Sequence, residues 1–119
     1  FAEKFGGMSE SLVPAGRRVM AQGNYFAGQP VMLSEFGGVS LATDGGWGYN
    51  GAESGEEAFM ARFERLFKNV SACDFCGWCY TQLTDAEQET NGLLNAAHEP
   101  KFDISRVRGI IEKYGKKFY

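Results

Sequence analysis

The sequence predicts an α/β fold in which parallel strands alternate with helices. Three features carry this: two short apolar runs at residues 30–36 and 75–83, a helical stripe at residues 54–70 between them, and a second stripe at residues 103–115 after them. A strand, helix, strand order is a βαβ unit, whose strands lie parallel and are joined by a right-handed crossover. Both strands then end on the same side, so side chains at their C-terminal ends become neighbours.

Residues 1–29 form the lead-in. Glycines at 6, 7 and 16 and Pro14 interrupt any helical pattern, which leaves room for a short helix after Ser9 or Ser11 and for a strand or helical turn over residues 17–21. Residues 23–29 read as a loop. The run Pro30-Val-Met-Leu-Ser-Glu-Phe36 is bounded by Gly28 and by Gly37-Gly38, the pattern of a brief strand buried on both faces. Glu35 sits at its C-terminal end, the edge where open sheets and barrels hold their ligands. An ionised carboxylate there is costly unless paired, so Glu35 is either a site residue or a salt-bridged strand end. The two glycines after it permit a sharp turn and a close approach to the main chain.

From Thr43 to Gly51 the chain is polar and glycine-rich, with Trp47 and Tyr49 inside it. These aromatics either stack on the C–H face of a sugar ring or fold back as a local lid. Ser54-Gly-Glu-Glu57 has capping-box spacing and opens the first helix. Phe59, Phe63, Leu66 and Val70 mark its buried face, with Glu56, Arg62, Glu64 and Lys68 elsewhere. Asn69-Val-Ser71 matches a glycosylation sequon, which implies nothing without evidence of secretion.

The second apolar run, within Asp74-Phe-Cys-Gly-Trp-Cys-Tyr-Thr-Gln-Leu-Thr-Asp85, reads as a buried strand. Cys73, Cys76 and Cys79 have a C-x2-C-x2-C spacing without the fourth cysteine and proline of an iron–sulfur run. Strand positions three apart face opposite ways, so Cys76 and Cys79 should not converge on a metal, and buried thiols are the expectation. An acidic loop follows, with a turn at Asn91-Gly92. The single histidine, His98, lies in a polar connector and reads as a surface residue. Asp103 or Ser105 caps the last helix, whose buried stripe is Ile104, Val107, Ile111 and Tyr114.

With 119 residues, 44% hydrophobic and 14% aromatic, the chain suits one folded domain. A net charge of -3 and the lack of a basic run argue against a nucleic-acid or anionic-membrane partner. No apolar stretch approaches a membrane span, and no signal peptide is present. The first residue is Phe1 rather than Met, which suits a piece of something longer. The cellular location is left open.

The segments Gly28-Gln-Pro-Val-Met-Leu-Ser-Glu-Phe-Gly-Gly38, Trp47-Gly-Tyr49, Tyr80-Thr-Gln-Leu-Thr-Asp-Ala-Glu-Gln-Glu89, Asn91-Gly-Leu93 and Pro100-Lys101, in that order, resemble the C-terminal end of the catalytic domain of glycoside hydrolase family 2, the family of β-galactosidases, β-glucuronidases and β-mannosidases. The resemblance runs from about residue 22 to residue 114. It implies a (β/α)8 barrel of which this chain is about the last third, residues 30–36 being the seventh strand, 54–70 the seventh helix, 75–83 the eighth strand and 103–115 the eighth helix. A whole barrel takes about 250 residues.

The resemblance makes Glu35 the catalytic nucleophile of a retaining β-glycosidase, acting with a second carboxylate about 5 Å away that protonates the leaving oxygen. The family's acid/base glutamate follows an asparagine, and no Asn-Glu pair occurs here, so the chain alone should be inactive. Tyr80 falls where the family carries an aromatic, commonly Trp, beneath the sugar and beside the nucleophile. Trp47, Asp85, Glu89 and Asn91 match positions lining the active-site end. A β-glycoside is the expected partner, with no cofactor and no metal. The alternative is a non-catalytic carbohydrate-binding or structural module. Strands meant to be flanked on both sides would leave open edges and apolar faces, so the isolated chain should self-associate.

Overall fold

A computed structural model describes residues 16–41, 48 and 51–115. The helix expected after Ser9 or Ser11, and the Trp47 and Tyr49 side chains, lie outside the described residues. Residues 17–31 run as bends and turns without a strand or helix, in keeping with their glycines.

Strand β1 (Met32–Gly37) is followed by two short strands, β2 (Ser40–Leu41) and β3 (Ala52–Glu53), then helix α1 (Glu56–Ser71), strand β4 (Gly77–Thr81) and helix α2 (Ile104–Tyr114). β1 and β4 pair in parallel across α1, as a βαβ order dictates. Met32 stands opposite Gly77, Leu33 opposite Trp78, Phe36 opposite Tyr80 and Gly37 opposite Thr81. Between the middle pairs, Ser34 and Glu35 face Cys79 alone, so β1 bulges where it carries the carboxylate. β2 and β3 also pair in parallel and close the neck of the glycine-rich loop. Ser40 is wholly buried there, and a side chain on Gly48 would collide with it.

The core is aromatic and lies on one side of the sheet. Phe59, Phe63 and Phe67 of α1 are buried, together with Met60, Val39, Leu93, Phe102 and Val107. Burying each such phenylalanine contributes about 1.5–3 kcal/mol. Phe36, Trp78 and Tyr80 reach up from the sheet to meet them: the Phe36 ring lies edge-on to Phe67 at 5.3 Å and to Tyr80 at 5.5 Å, and Phe67 edge-on to Trp78 at 5.1 Å. Phe102 stacks on Phe59 at 3.9 Å between centroids and ties α2 to the same cluster.

The two helices run side by side in parallel. Arg106 grips Glu57 with both guanidinium arms, at 2.6 and 2.9 Å, and Lys113 reaches Glu64 at 2.8 Å. Each partner set is seven residues apart on its own helix, so the rungs match only if the helices point the same way.

Four expectations are corrected. β1 is covered on one face only: Met32, Ser34 and Glu35 are exposed, because no described element packs on the side away from α1. Cys73 is buried and its thiol meets the Asn69 carbonyl at 3.3 Å, whereas Cys76 and Cys79 are exposed, Cys79 by strand alternation onto the uncovered face. Ser54 does not cap α1; Gly55 occupies that position with no side-chain bond, and Glu57 is held by Arg106 instead. Ile104 is 46% exposed, since it opens α2 and only Val107 of that helix is fully enclosed. Asp103 caps α2 by accepting from the Ser105 amide at 2.9 Å.

Candidate active site

Glu35 stands at the C-terminal end of β1, on the face turned away from the helices. Alternation requires this: the next residue, Phe36, points into the aromatic core, and neighbours along a strand face opposite ways. With Phe36, Gly37, Gly38 and Thr81 it lines an open recess of about 260 Å³. That is below the ~300–1,000 Å³ typical of small-molecule pockets. The strand ends are locked together there, the Gly38 amide donating to the Thr81 carbonyl at 2.9 Å. Gly37 has φ +121°, and a side chain on it would run into the Tyr80 ring at 2.6 Å and the Thr81 carbonyl at 2.7 Å. Only glycine lets the two strands close up beside Glu35. The Thr81–Gln82 peptide is cis.

Tyr80 differs from its expected place next to Glu35. It pairs with Phe36, the residue after the carboxylate, and shares that residue's face, so its ring packs on Phe63 at 5.1 Å. Burial pushes the Tyr80 hydroxyl well above its ordinary range, opposed by the charge of Arg62. Thr81, which the sequence analysis did not single out, is the β4 residue that lines the recess. The signal was the alternation itself: if residue 80 faces the core, residue 81 faces Glu35.

Asp85, Glu89 and Asn91 are brought together, but in a lobe spanning residues 82–101. The Asp85 carboxylate accepts from the Gly92 amide at 2.8 Å and from Lys101. Asn91, wholly buried, donates from its side-chain nitrogen to Glu89 at 3.1 Å. Backbone bonds from Leu93 to the Gln82 carbonyl and from Leu94 to the Leu83 carbonyl tie this lobe to the end of β4. None of the three carboxylate or amide groups lines the recess at Glu35. His98 is exposed.

Two of the other recesses are remote from Glu35. One, of about 340 Å³, lies at the opposite end of the strands, against Phe26, Val31, Asp74 and Phe75. The other, of about 430 Å³, lies between α1 and α2, bordered by the Glu57–Arg106 and Glu64–Lys113 pairs. Neither presents a carboxylate at a C-terminal strand end. Among the described residues no three His, Cys, Asp or Glu side chains are grouped to hold a metal, and no helix is long and apolar enough to cross a membrane. No family model matches the chain, and no curated protein matches it.

Proposed function

We propose that this chain supplies the nucleophile-bearing part of a retaining β-glycosidase of the glycoside hydrolase family 2 type, about the last third of a (β/α)8 barrel. The observation that supports it most directly is the position of Glu35: a bulged carboxylate at the C-terminal end of a strand paired in parallel with the next strand of a βαβ unit, on the face turned from the helices. That is the end and the face on which a barrel of this kind keeps its chemistry. The matched parallel helices α1 and α2 fit the outer layer of the same repeat.

In this reading Glu35 attacks the anomeric carbon of a β-glycoside and forms a glycosyl ester. A second carboxylic acid, from another part of the full protein, protonates the departing oxygen and then activates water to release the sugar. The Gly37-Gly38 backbone keeps the approach to Glu35 free of side chains, and Thr81 borders it. The walls absent around the recess come, on this proposal, from the other strands of the barrel. A non-catalytic module would make Glu35 an ion-paired strand end; among the described residues it has no hydrogen-bond or ion-pair partner.

The experiment uses the full protein that carries this chain. A 2-deoxy-2-fluoro β-glycoside with a dinitrophenyl leaving group should label Glu35, found by peptide mass mapping, and Glu35→Gln should abolish turnover while sugar binding persists. A label on another carboxylate, or turnover unchanged in the variant, removes the proposal.

A further inference from the structure

Besides Glu35 the recess at the strand ends is lined by Phe36, Gly37, Gly38 and Thr81. The Phe36 ring is turned into the core, edge-on to Phe67 and Tyr80, and the two glycines have no side chain. Among the described residues, Thr81 is therefore the one lining residue that adds a polar side chain to that of Glu35. Its main chain is fixed there: Thr81 stands opposite Gly37 in the β1–β4 register, and its carbonyl receives the Gly38 amide at 2.9 Å. Branching at Cβ restricts rotation about χ1, so a held backbone also limits where the hydroxyl can point.

The hydroxyl itself is uncommitted. Among the described residues three buried side-chain atoms have no hydrogen-bond partner, the Tyr80 hydroxyl, Gln82 Nε2 and Asn91 Oδ1, and none of these three residues lines the recess. The Thr81 hydroxyl is not one of the buried unmet atoms and is bonded to no described residue, so it is open to solvent on a residue that borders the nucleophile.

We infer that Thr81 is a specificity-determining residue, whose hydroxyl forms a hydrogen bond with one hydroxyl of the glycosyl unit that has its anomeric carbon at Glu35. This rests on the proposed function. A threonine hydroxyl both donates and accepts, as a sugar hydroxyl does, so the two match in either direction. Making the bond replaces contact with water and breaks none within the protein. A glycoside that lacks the partner hydroxyl, or carries it on the other face of the ring, leaves Thr81 unmet and is disfavoured, which is how a single polar side chain separates epimers.

The test measures calorimetric binding of methyl β-galactoside, β-glucoside, β-mannoside and β-glucuronide, and of the monodeoxy analogues of the one bound best, to the full protein. Thr81→Val and Thr81→Ala remove the hydroxyl, and Thr81→Ser keeps it. Affinity for the preferred glycoside should fall by about tenfold in the first two, the size of one neutral hydrogen bond, and Thr81→Ser should retain most of it at an unchanged melting temperature. One deoxy analogue should bind wild type and Thr81→Val alike, which a purely structural role for Thr81 would not produce. Unchanged affinity in the folded Val or Ala variant, a loss in Thr81→Ser as large as in Thr81→Ala, or no glycoside bound by the wild type overturns the inference. A loss confined to the Val and Ala variants without fluoro-sugar labelling of Glu35 retains Thr81 and overturns the nucleophile assignment; labelling of Glu35 with affinity unchanged in those variants does the reverse.

Discussion

Lys101 Nζ lies 2.9 Å from Asp85 Oδ1, with the two side chains only 8% and 12% exposed. The same ammonium donates to the Thr90 carbonyl at 2.8 Å, and the same carboxylate oxygen receives the Gly92 amide. The pair therefore closes the lobe after β4 from both sides. Gly92 is confined with it, since a side chain there would overlap the Asp85 amide and the Thr84 carbonyl carbon.

A nearly buried ion pair loses most when one partner is removed, because the other is left charged without water. Lys101→Met should lower unfolding free energy by about 3–5 kcal/mol, read from urea denaturation. The double variant Asp85→Leu with Lys101→Met should recover part of that loss. If Asp85 instead served chiefly to bind sugar, Lys101→Met would weaken binding while leaving the denaturation midpoint in place.

Tyr80 supplies a second prediction. Its ring is core and its hydroxyl unmet, so Tyr80→Phe keeps the packing on Phe36 and Phe63 and removes a desolvated polar atom. Stability should hold or increase, by up to about 1–3 kcal/mol, and glycoside affinity of the full protein should not change. A loss of affinity in Tyr80→Phe would return this residue to the sugar site.

These two cases show what the sequence could and could not convey. The parallel pairing of β1 and β4 was legible because an amphipathic helix separates two short apolar runs, and the Phe59, Phe63 stripe was legible from its spacing. The face of Tyr80 was not. A bulge at Ser34–Glu35 shifts the register by one residue, and in a period of two a shift of one exchanges the faces; no local pattern in β1 announces it. Asp85, Glu89 and Asn91 were expected at the active-site end because the resemblance matches them to it; no local pattern conveyed that Asp85 would accept from Gly92 and from Lys101, 16 residues away, or that Asn91 would donate to Glu89. Met60 and Phe67 join the buried face of α1 because the helix is packed by the sheet on one side and by α2 on another, which widens the stripe beyond one row.

The contact between α1 and α2 makes a pH prediction. The Arg106 guanidinium holds the Glu57 carboxyl below its ordinary range, Lys113 and the Tyr114 hydroxyl do the same for Glu64, and the Ser105 hydroxyl and amide do so for Asp103. A carboxylate whose folded pKa is depressed adds stability above its unfolded pKa, and that stability is lost as pH falls through the folded value. Thermal unfolding should therefore show a loss that begins near pH ~4, where free carboxyls start to titrate, and continues below it. Glu57 and Asp103 are exposed and Glu64 is half-exposed, so salt should shrink the effect. Arg106→Gln should flatten the Glu57 part of the profile; an unchanged acid limb would remove Arg106 as its cause.

The uncovered face of the β1–β4 sheet makes the last prediction, which bears on the whole assignment. Met32 is 58% exposed, and Cys79 lies across the bulge from Ser34 and Glu35. In the isolated chain each long strand has a single partner among the described residues, and such edges invite association. Light scattering of the isolated chain should give a mass above that of one 13.1 kDa copy. Maleimide labelling of freshly diluted, monomeric chain should modify Cys76 and Cys79 rapidly and Cys73 only on unfolding. In the full protein the proposed barrel places other strands over this face, so Cys79 should become as slow as Cys73. Rapid labelling of Cys79 in the folded full protein would mean that nothing covers Glu35, and a carboxylate left open to bulk water on that scale is not a glycosidase nucleophile.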